Sequence, residues 1–295
     1  MKNMKKFWAM LLALTMILSL AACGGSKEEA PAKTEEPAAT EEPAAEEPAA
    51  DSDLAYVQDK GVLVVGITDF EPMDYKDANG NWIGFDADMA VAFAESLGVD
   101  VEFVEIDWDN KILELNSKTI DCVWNGMTLT DEVTSAMECS NAYCNNAQVV
   151  IVPADKADQY QTVEACAGLA FAVEAGSAGE AEVSALGYSC TPVKAQSDAL
   201  MEVAAGTSDA AVIDSLMAAA MVGEGTSYAD LTYTVGLNSE EYGVGFRKDD
   251  LALAENINRV LNEMAADGTL AEISTKWFDS DITTIGKTEA ENAEG

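Results

Sequence analysis

Between residues 62 and 221 the chain runs twice through one hydrophobic pattern: apolar run, helical stretch, apolar run. In the first pass Val62–Ile67 reads as a buried strand and Phe85–Leu97 (FDADMAVAFAESL) as a helix ended by Gly98. Val99–Val104 follows as a strand, Trp108–Leu115 as a helix and Ile120–Trp124 as a strand, with a longer apolar strand at Ala147–Pro153. In the second pass Leu169–Val173, Ser189–Val193 and Ala210–Ile213 are strands, and Ala178–Leu186, Ser197–Ala204 and Asp214–Met221 are helices. This order predicts parallel strands with helical crossovers. The segments LNSKTIDCVWN (115–125) and AAGTSDAAVID (204–214) also echo each other: helix end, polar turn, aspartate, apolar strand. After Asn238, EEYGVGFRKDD is a further strand, Leu251–Ala266 a long amphipathic helix and Leu270–Phe278 a short one. The expectation is an α/β fold with two lobes joined by two crossings. Residues 54–147 plus 240–295 form lobe 1, and 148–239 form lobe 2. Ligands of such sheets bind outside the carboxyl ends of the strands, here the cleft between the lobes.

Charge and composition exclude several functions. The 295 residues hold 53 Asp+Glu against 16 Lys+Arg, a formal charge of −37. So acidic a chain repels phosphate backbones, and nucleic-acid binding is not expected. There is no histidine, which removes His-based nucleophilic sites, His-ligated metals and a histidine pH switch. Five cysteines follow Cys23: Cys122, Cys139, Cys144, Cys166 and Cys190. Their spacings match no metal motif. Disulfides at Cys139–Cys144 or Cys166–Cys190 and buried reduced thiols are both open.

The first 23 residues read as an address. Lys2, Lys5 and Lys6 form a basic start, and Phe7–Leu20 is an apolar stretch too short for a comfortable membrane span. Leu20-Ala21-Ala22-Cys23 resembles a lipobox, which implies cleavage before Cys23 and a lipid on its sulfur; a plain secretory signal is the competing reading. Residues 24–53 contain Glu-Glu-Pro-Ala-Ala three times, with ten acidic residues against two lysines. Without aromatic or branched apolar side chains the segment buries too little surface to fold, so it is expected to be a disordered acidic tether. Thirty flexible residues span roughly 30 Å, and prolines and like charges extend that.

Six ordered pieces of the chain resemble one family. They are VVGITDFEPMDY (64–75), GNWIGFDADMAVAFAESLG (80–98), WDNKILELNSKTIDCVWNGMTLTDE (108–132), VEAGS (173–177), SDAAVID (208–214) and the stretch from Glu240 to Phe278. Together they resemble the extracellular solute-binding proteins, family 3, of polar amino acid ABC transporters. The resemblance implies the type II periplasmic-binding fold. It also implies a monomeric lipoprotein held on the extracytoplasmic face of the membrane, Gram-positive in type, with ABC permease subunits as partner and no cofactor or metal.

The resemblance also implies a site. Phe70 and Trp108 correspond to the two aromatic residues around the ligand, where π-faces exclude water and attract an ammonium; ordinary core is the alternative for both. Asn125, Gly126 and Thr128, just past the strand ending at Trp124, fall where polar ligand contacts lie. Their N–H groups precede a helix beginning near Thr130, an anion site by its dipole. Gly176 and Ser177 have the same relation to the next lobe's first helix, unless Ser177 serves only as its N-cap. Asp214 corresponds to the acceptor of a substrate's α-ammonium, with helix capping as its other role. Asp69 faces either a ligand's polar end or solvent. One departure stands out: Val133 occupies the position where the family has an arginine that forks the ligand's carboxylate. Backbone amides with Asn125 replace it, or the ligand lacks a free carboxylate, or the ligand is cationic.

The function so implied is capture of an amino acid or related amine-bearing solute, without catalysis. Two rivals carry different expectations. A dehydratase on the same fold needs Glu132 or Glu174 as a general acid with its pKa raised by burial. A sensor module would have an altered cleft.

Overall fold

The protein is described by a computed structural model over residues 52–249 and 251–287. The leader with Cys23, residues 24–51 of the tether and residues 288–295 lie outside the described residues. The chain opens with α1 (Asp53–Lys60), β1 (Val62–Ile67) and a hairpin of β2 (Tyr75–Lys76) and β3 (Trp82–Ile83). Then come α2 (Phe85–Leu97), β4 (Asp100–Glu105), a 3-10 turn at Trp108–Asn110, α3 (Lys111–Asn116) and β5 (Cys122–Thr128). The segment closes with α4 (Asp131–Ala136), β6 (Met137–Cys139) and β7 (Cys144–Asn146). The second part holds β8 (Gln148–Pro153), β9 (Ala170–Glu174), α5 (Ala178–Ala185), β10 (Ser189–Val193), α6 (Gln196–Ala205), β11 (Ala210–Asp214), α7 (Ser215–Met221) and β12 (Leu231–Gly236). The chain returns through β13 (Glu240–Arg247), α8 (Leu251–Asp267) and α9 (Thr269–Phe278).

Apart from the β2–β3 hairpin, the strands form two sheets, one per lobe. The first has the order β4-β1-β5-β13-β6, with β7 also on β13; the second has β10-β9-β11-β8-β12. In the first, β4, β1 and β5 are parallel and β13 runs antiparallel to β5. In the second, β10, β9 and β11 are parallel, and β8 is antiparallel to β11. Strand pairing passes from one sheet to the other at Ala147 and returns at residues 237–239.

The echoed sequence segments perform one structural task twice. Asp121, just before β5, gives its N–H to Val64 O at 2.7 Å and takes the Val64 N–H on Oδ2 at 2.7 Å. Asp209, just before β11, gives its N–H to Ala170 O at 2.9 Å and takes the Ala170 N–H on Oδ2 at 3.0 Å. Each aspartate clamps the start of its strand to the parallel neighbour.

Apolar faces close each layer. Leu63, Val65 and Ile67 of β1 share a core with Phe85, Met89 and Phe93 of α2 and Ile257 and Leu261 of α8. On the sheet's other side Ile106, Leu115, Ile120, Val123 and Met127 cluster with Trp108 and Val133. In lobe 2, Val150, Val152, Phe171, Val173 and Val212 pack together. Burying one such side chain contributes roughly 1.5–3 kcal/mol.

Several sequence boundaries change. The tether stops earlier than expected: Ser52 N-caps α1 through the Ala55 N–H, and Asp53 is buried beside Arg247. The helix expected over Trp108–Leu115 is a 3-10 turn joined to α3. The strand expected to end at Trp124 continues to Thr128 because β13 pairs with it that far.

Arg247 explains the tether boundary. Its guanidinium is 8% exposed and bonds the carboxylates of Asp53 and Asp121 and the carbonyls of Leu115 and Ile120. Lys60 adds a second cation on Asp121 at 2.5 Å. Replacing the arginine with an apolar isostere leaves two buried carboxylates short of their partner. Arg247→Met is expected to cost about 3–5 kcal/mol, read as a lower urea midpoint with unchanged slope. A midpoint equal to that of the unsubstituted protein would show that the cluster does not hold α1 to the sheet.

Candidate ligand-binding cleft

A cavity of about 200 Å³ opens between the lobes. Its lining includes Asn125, Gly126, Met127 and Thr128 of β5, Glu174 at the end of β9, and Asp214 at the end of β11. These are carboxyl ends of parallel strands, so the topology sets the position of the site. Trp108, Lys111, Val133, Gly176, Ser177, Ala178 and Gln196 complete most of the wall.

Asp214 sits at the base, 4% exposed. It is the last residue of β11 and makes no side-chain cap to α7. Its Oδ1 accepts from Tyr242 Oη at 2.7 Å, Gln148 Nε2 at 2.9 Å and Asn146 Nδ2, and its Oδ2 accepts from Gln196 Nε2. Burial, then the nearby Glu240 charge, push its carboxyl up to about 7 despite these donors. Asp214 is therefore in the cleft as the family resemblance implies, with all its near donors supplied by the protein.

The polar groups expected on β5 are engaged inside lobe 1. Asn125 Oδ1 accepts from Thr68 N at 3.0 Å and Thr68 Oγ1 at 2.7 Å. Its Nδ2 donates to Thr68 O at 3.1 Å and Asp74 Oδ2 at 2.8 Å. Gly126 N donates to Asp86 Oδ2 at 2.6 Å, and Thr128 Oγ1 donates to Glu240 Oε1 at 2.8 Å. Asn125, Gly126 and Thr128 lie within the strand, and α4 is not an anion site. Its first turn carries Asp131 and Glu132, and its cap, Thr130 Oγ1, takes the Val133 N–H. Gly126 has a second role. At φ +53 its hydrogen faces the Phe70 ring, where a Cβ would lie 2.5 Å from Cε1.

Gly176 and Ser177 line the cleft with their amides also engaged. Gly176 N donates to Glu180 Oε2 at 2.7 Å and Ser177 N to Glu174 O at 3.2 Å. Ser177 Oγ takes the Glu180 N–H at 3.1 Å, so Ser177 N-caps α5. Trp108 lines the cleft, but Phe70 does not. Phe70 is 2% exposed and packs edge-on to Tyr242 with ring centroids 6.5 Å apart. Asp69 is solvent-exposed in a separate notch on the rim, 3.5 Å from Ser197 Oγ across the lobes. The two-ring sandwich is thus reduced to one ring, and that ring already holds a cation: Lys111 Nζ lies 4.9 Å from the Trp108 centroid.

Sequence reasoning missed Lys111 and Gln196, and singled out Glu174 only as a general acid. Lys111 is 6% exposed and donates to Trp108 O at 3.3 Å and, across the lobes, to Gly176 O at 2.8 Å. Burial lowers its pKa. The signal was present in the sequence: Trp108, Lys111, Ile112 and Leu115 fall on one helical face, so a lysine stands in an inward-facing row. Glu174 is 2% exposed. Burial and the Asp214 charge raise its carboxyl to about 8, and Oε1 has no hydrogen-bond partner. The Glu174 signal was its place two residues before Gly176, where β9 delivers its last side chain to the cleft.

Two predictions follow from this geometry. Asp214 and Glu174 hold protons more tightly folded than unfolded, where they titrate near about 4. Their contribution to stability is complete below about pH 4 and is lost as pH rises through 7–8. Tm is therefore expected to fall from pH 5 to pH 8, with a shallower fall in Glu174→Gln; a flat profile would contradict the buried-carboxyl assignment. Gly176 supplies the second. At φ +71, a Cβ there would lie 2.7 Å from Asp109 Cα on the opposite lobe. Gly176→Ala adds about 1–2 kcal/mol of left-handed strain and separates the lobes, read as a larger radius of gyration in small-angle scattering.

The chain is similar to known proteins over most of its length. It is 28% identical over 284 residues to the arginine-binding extracellular protein ArtP of Bacillus subtilis, covering 93% of this chain and 98% of that protein. An ABC uptake transporter substrate-binding protein from Streptococcus pneumoniae with bound histidine superposes with a TM-score of 0.72 at 31% identity, covering 80% of this chain and 100% of that one. The ancestral amino acid-binding protein AncCDT-1, a precursor of cyclohexadienyl dehydratase, superposes with a TM-score of 0.71 at 33% identity over 77% and 100% of the two chains. The family profile itself spans residues 63–280. By that match, and by the two-lobed fold with its cleft, the chain belongs to the bacterial extracellular solute-binding proteins, family 3.

Proposed function

We propose that the protein is the receptor of an ABC importer, capturing an amino acid between its lobes and delivering it to a permease. The observation that carries this reading is the inter-lobe cavity walled by Trp108 and Lys111 from one lobe and by Glu174, Ser177 and Asp214 from the other. A buried space holding an ammonium, two carboxyl groups and an aromatic ring suits a small charged solute that both lobes grip. Relatives that bind arginine and histidine support amino acids as the class. Closure bends the chain at Ala147 and at residues 237–239, the two places where it changes sheets. A lipid on Cys23 and the acidic segment after it hold the head at the extracytoplasmic membrane face.

A dehydratase is the second reading, favoured by the Glu174 carboxyl, protonated near neutral pH and facing the cleft. It predicts release of water from a cyclohexadienyl carboxylate, and a binding protein predicts none.

A thermal-shift screen of the refolded protein against the amino acids and their decarboxylated amines tests the receptor reading. A ligand at 100 times its Kd adds about 2.7 kcal/mol, which is several degrees in Tm. The expected result is a shift with at least one amino acid and no turnover. If no amino acid or amine shifts the melt, the reading fails.

A further inference from the structure

Two of the buried ionisable side chains of the cleft wall keep hydrogen-bonding capacity unused. Asp214 accepts from four donors, Asn125 uses both amide N–H groups, and the amides of Gly126, Gly176 and Ser177 are engaged. Lys111 and Glu174 differ. An ammonium carries three N–H groups, and the partners of Lys111 are two uncharged carbonyls. Among the described residues it forms no ion pair, although it is 6% exposed. Glu174 Oε1 is the one buried, unpartnered side-chain oxygen of the cleft wall among the described residues. An unpaired buried charge and an orphaned carboxyl oxygen are costly unless something completes them.

The two groups stand on opposite lobes, one an ammonium and the other a carboxyl that a bound ammonium would hold ionised. A molecule with a carboxylate and an ammonium satisfies both and joins the lobes as it does so. Met127 and Val133, buried apolar side chains of the wall beside them, offer nothing to a third charge. Asp131 and Glu132 are solvent-exposed, so their attraction for a cation is screened. Trp108, the aromatic residue of the cleft, already carries the protein's own ammonium.

Resting on the receptor reading above, we infer that Lys111 and Glu174 are the specificity pair of the cleft. Lys111 takes the ligand's α-carboxylate in place of an arginine at Val133, and Glu174 takes its α-ammonium. The ligand is an amino acid with an uncharged side chain. This differs from the arginine bound by the related protein from Bacillus subtilis.

Isothermal titration of the refolded full chain tests the assignment. The ligands are L-alanine, L-serine, L-valine, L-leucine and L-methionine against L-arginine and L-lysine, with the methyl ester and N-acetyl form of the best binder. A neutral amino acid is expected to bind best. Its methyl ester and the Lys111→Met variant should each lose at least about 30-fold, the lower range for truncating one partner of a buried charge pair. Lys111→Met should not weaken the ester further. The N-acetyl form and Glu174→Gln should behave in the same way toward each other. If a variant does not fold, the ester and N-acetyl comparisons on the unsubstituted protein decide, and equal binding of acid and ester overturns the proposal. Amino acid binding within about threefold in both variants overturns the pair but leaves the receptor reading standing. Arginine or lysine binding ten-fold tighter than every neutral ligand overturns the uncharged side chain. Absence of any binding by the unsubstituted protein overturns both readings.

Discussion

The buried carboxyl of Asp214 ties the two crossings between the lobes to the cleft. Asn146 and Gln148 reach it from either side of the first crossing, Gln196 from the start of α6, and Tyr242 from the returning strand β13. Glu240, just after the second crossing, accepts from the same Asn146 and Gln148 amides at 2.6 and 2.8 Å. Both connections between the lobes therefore meet on one hydrogen-bond network. A buried carboxyl held by this many donors is stable only while each donor keeps its geometry, so the network fixes where the chain crosses. The cleft opens directly above that point.

A chain with 53 acidic and 16 basic residues has few cations, and the folded part places several of them where two elements must be held together. Arg247 and Lys60 neutralise Asp53 and Asp121 and so fasten α1 and the start of β5. Lys194 meets Glu105 at 2.9 Å across the cleft rim. Lys111 reaches Gly176 O from the other lobe. The rim pair is exposed and contributes little, about 0–1 kcal/mol. The buried cations act differently, because an ammonium or guanidinium removed from water needs a partner. For Arg247 the partners are carboxylates of the protein. For Lys111 they are carbonyls, which leaves room for a charge brought from outside.

Much of the fold was legible before any coordinates. The helix Phe85–Leu97 and the strand Val62–Ile67 are bounded as the sequence predicts, because a C-terminal glycine and an apolar run are local signals. The echo of TIDCVWN and SDAAVID is an equivalent strand clamp in both lobes. The site was legible in part. Trp108, Asn125, Gly126, Thr128, Gly176, Ser177 and Asp214 do line one cavity, while Phe70 and Asp69 do not. Phe70 follows a strand end in both readings. Only the packing of Tyr242, which is 172 positions away, turns its ring into core. The roles of the amides at Gly126 and Gly176 depend on Asp86 and Glu180, whose side chains compete for the same N–H groups that an anion would use.

By itself the sequence determined the order of strands and helices, the doubled α/β pattern, the acidic segment after the leader and the absence of histidine chemistry. These are properties of periodicity and residue type, and they are written along the chain. The tertiary structure alone decided which polar groups remain free. A hydrogen bond between Gly126 and Asp86, or among Asn146, Gln148 and Asp214, joins residues distant in sequence, so the sequence carries no record of which donor reaches which acceptor first. The cleft's chemistry depends on what that competition leaves over, the Lys111 ammonium and one carboxyl oxygen of Glu174 on facing lobes among it.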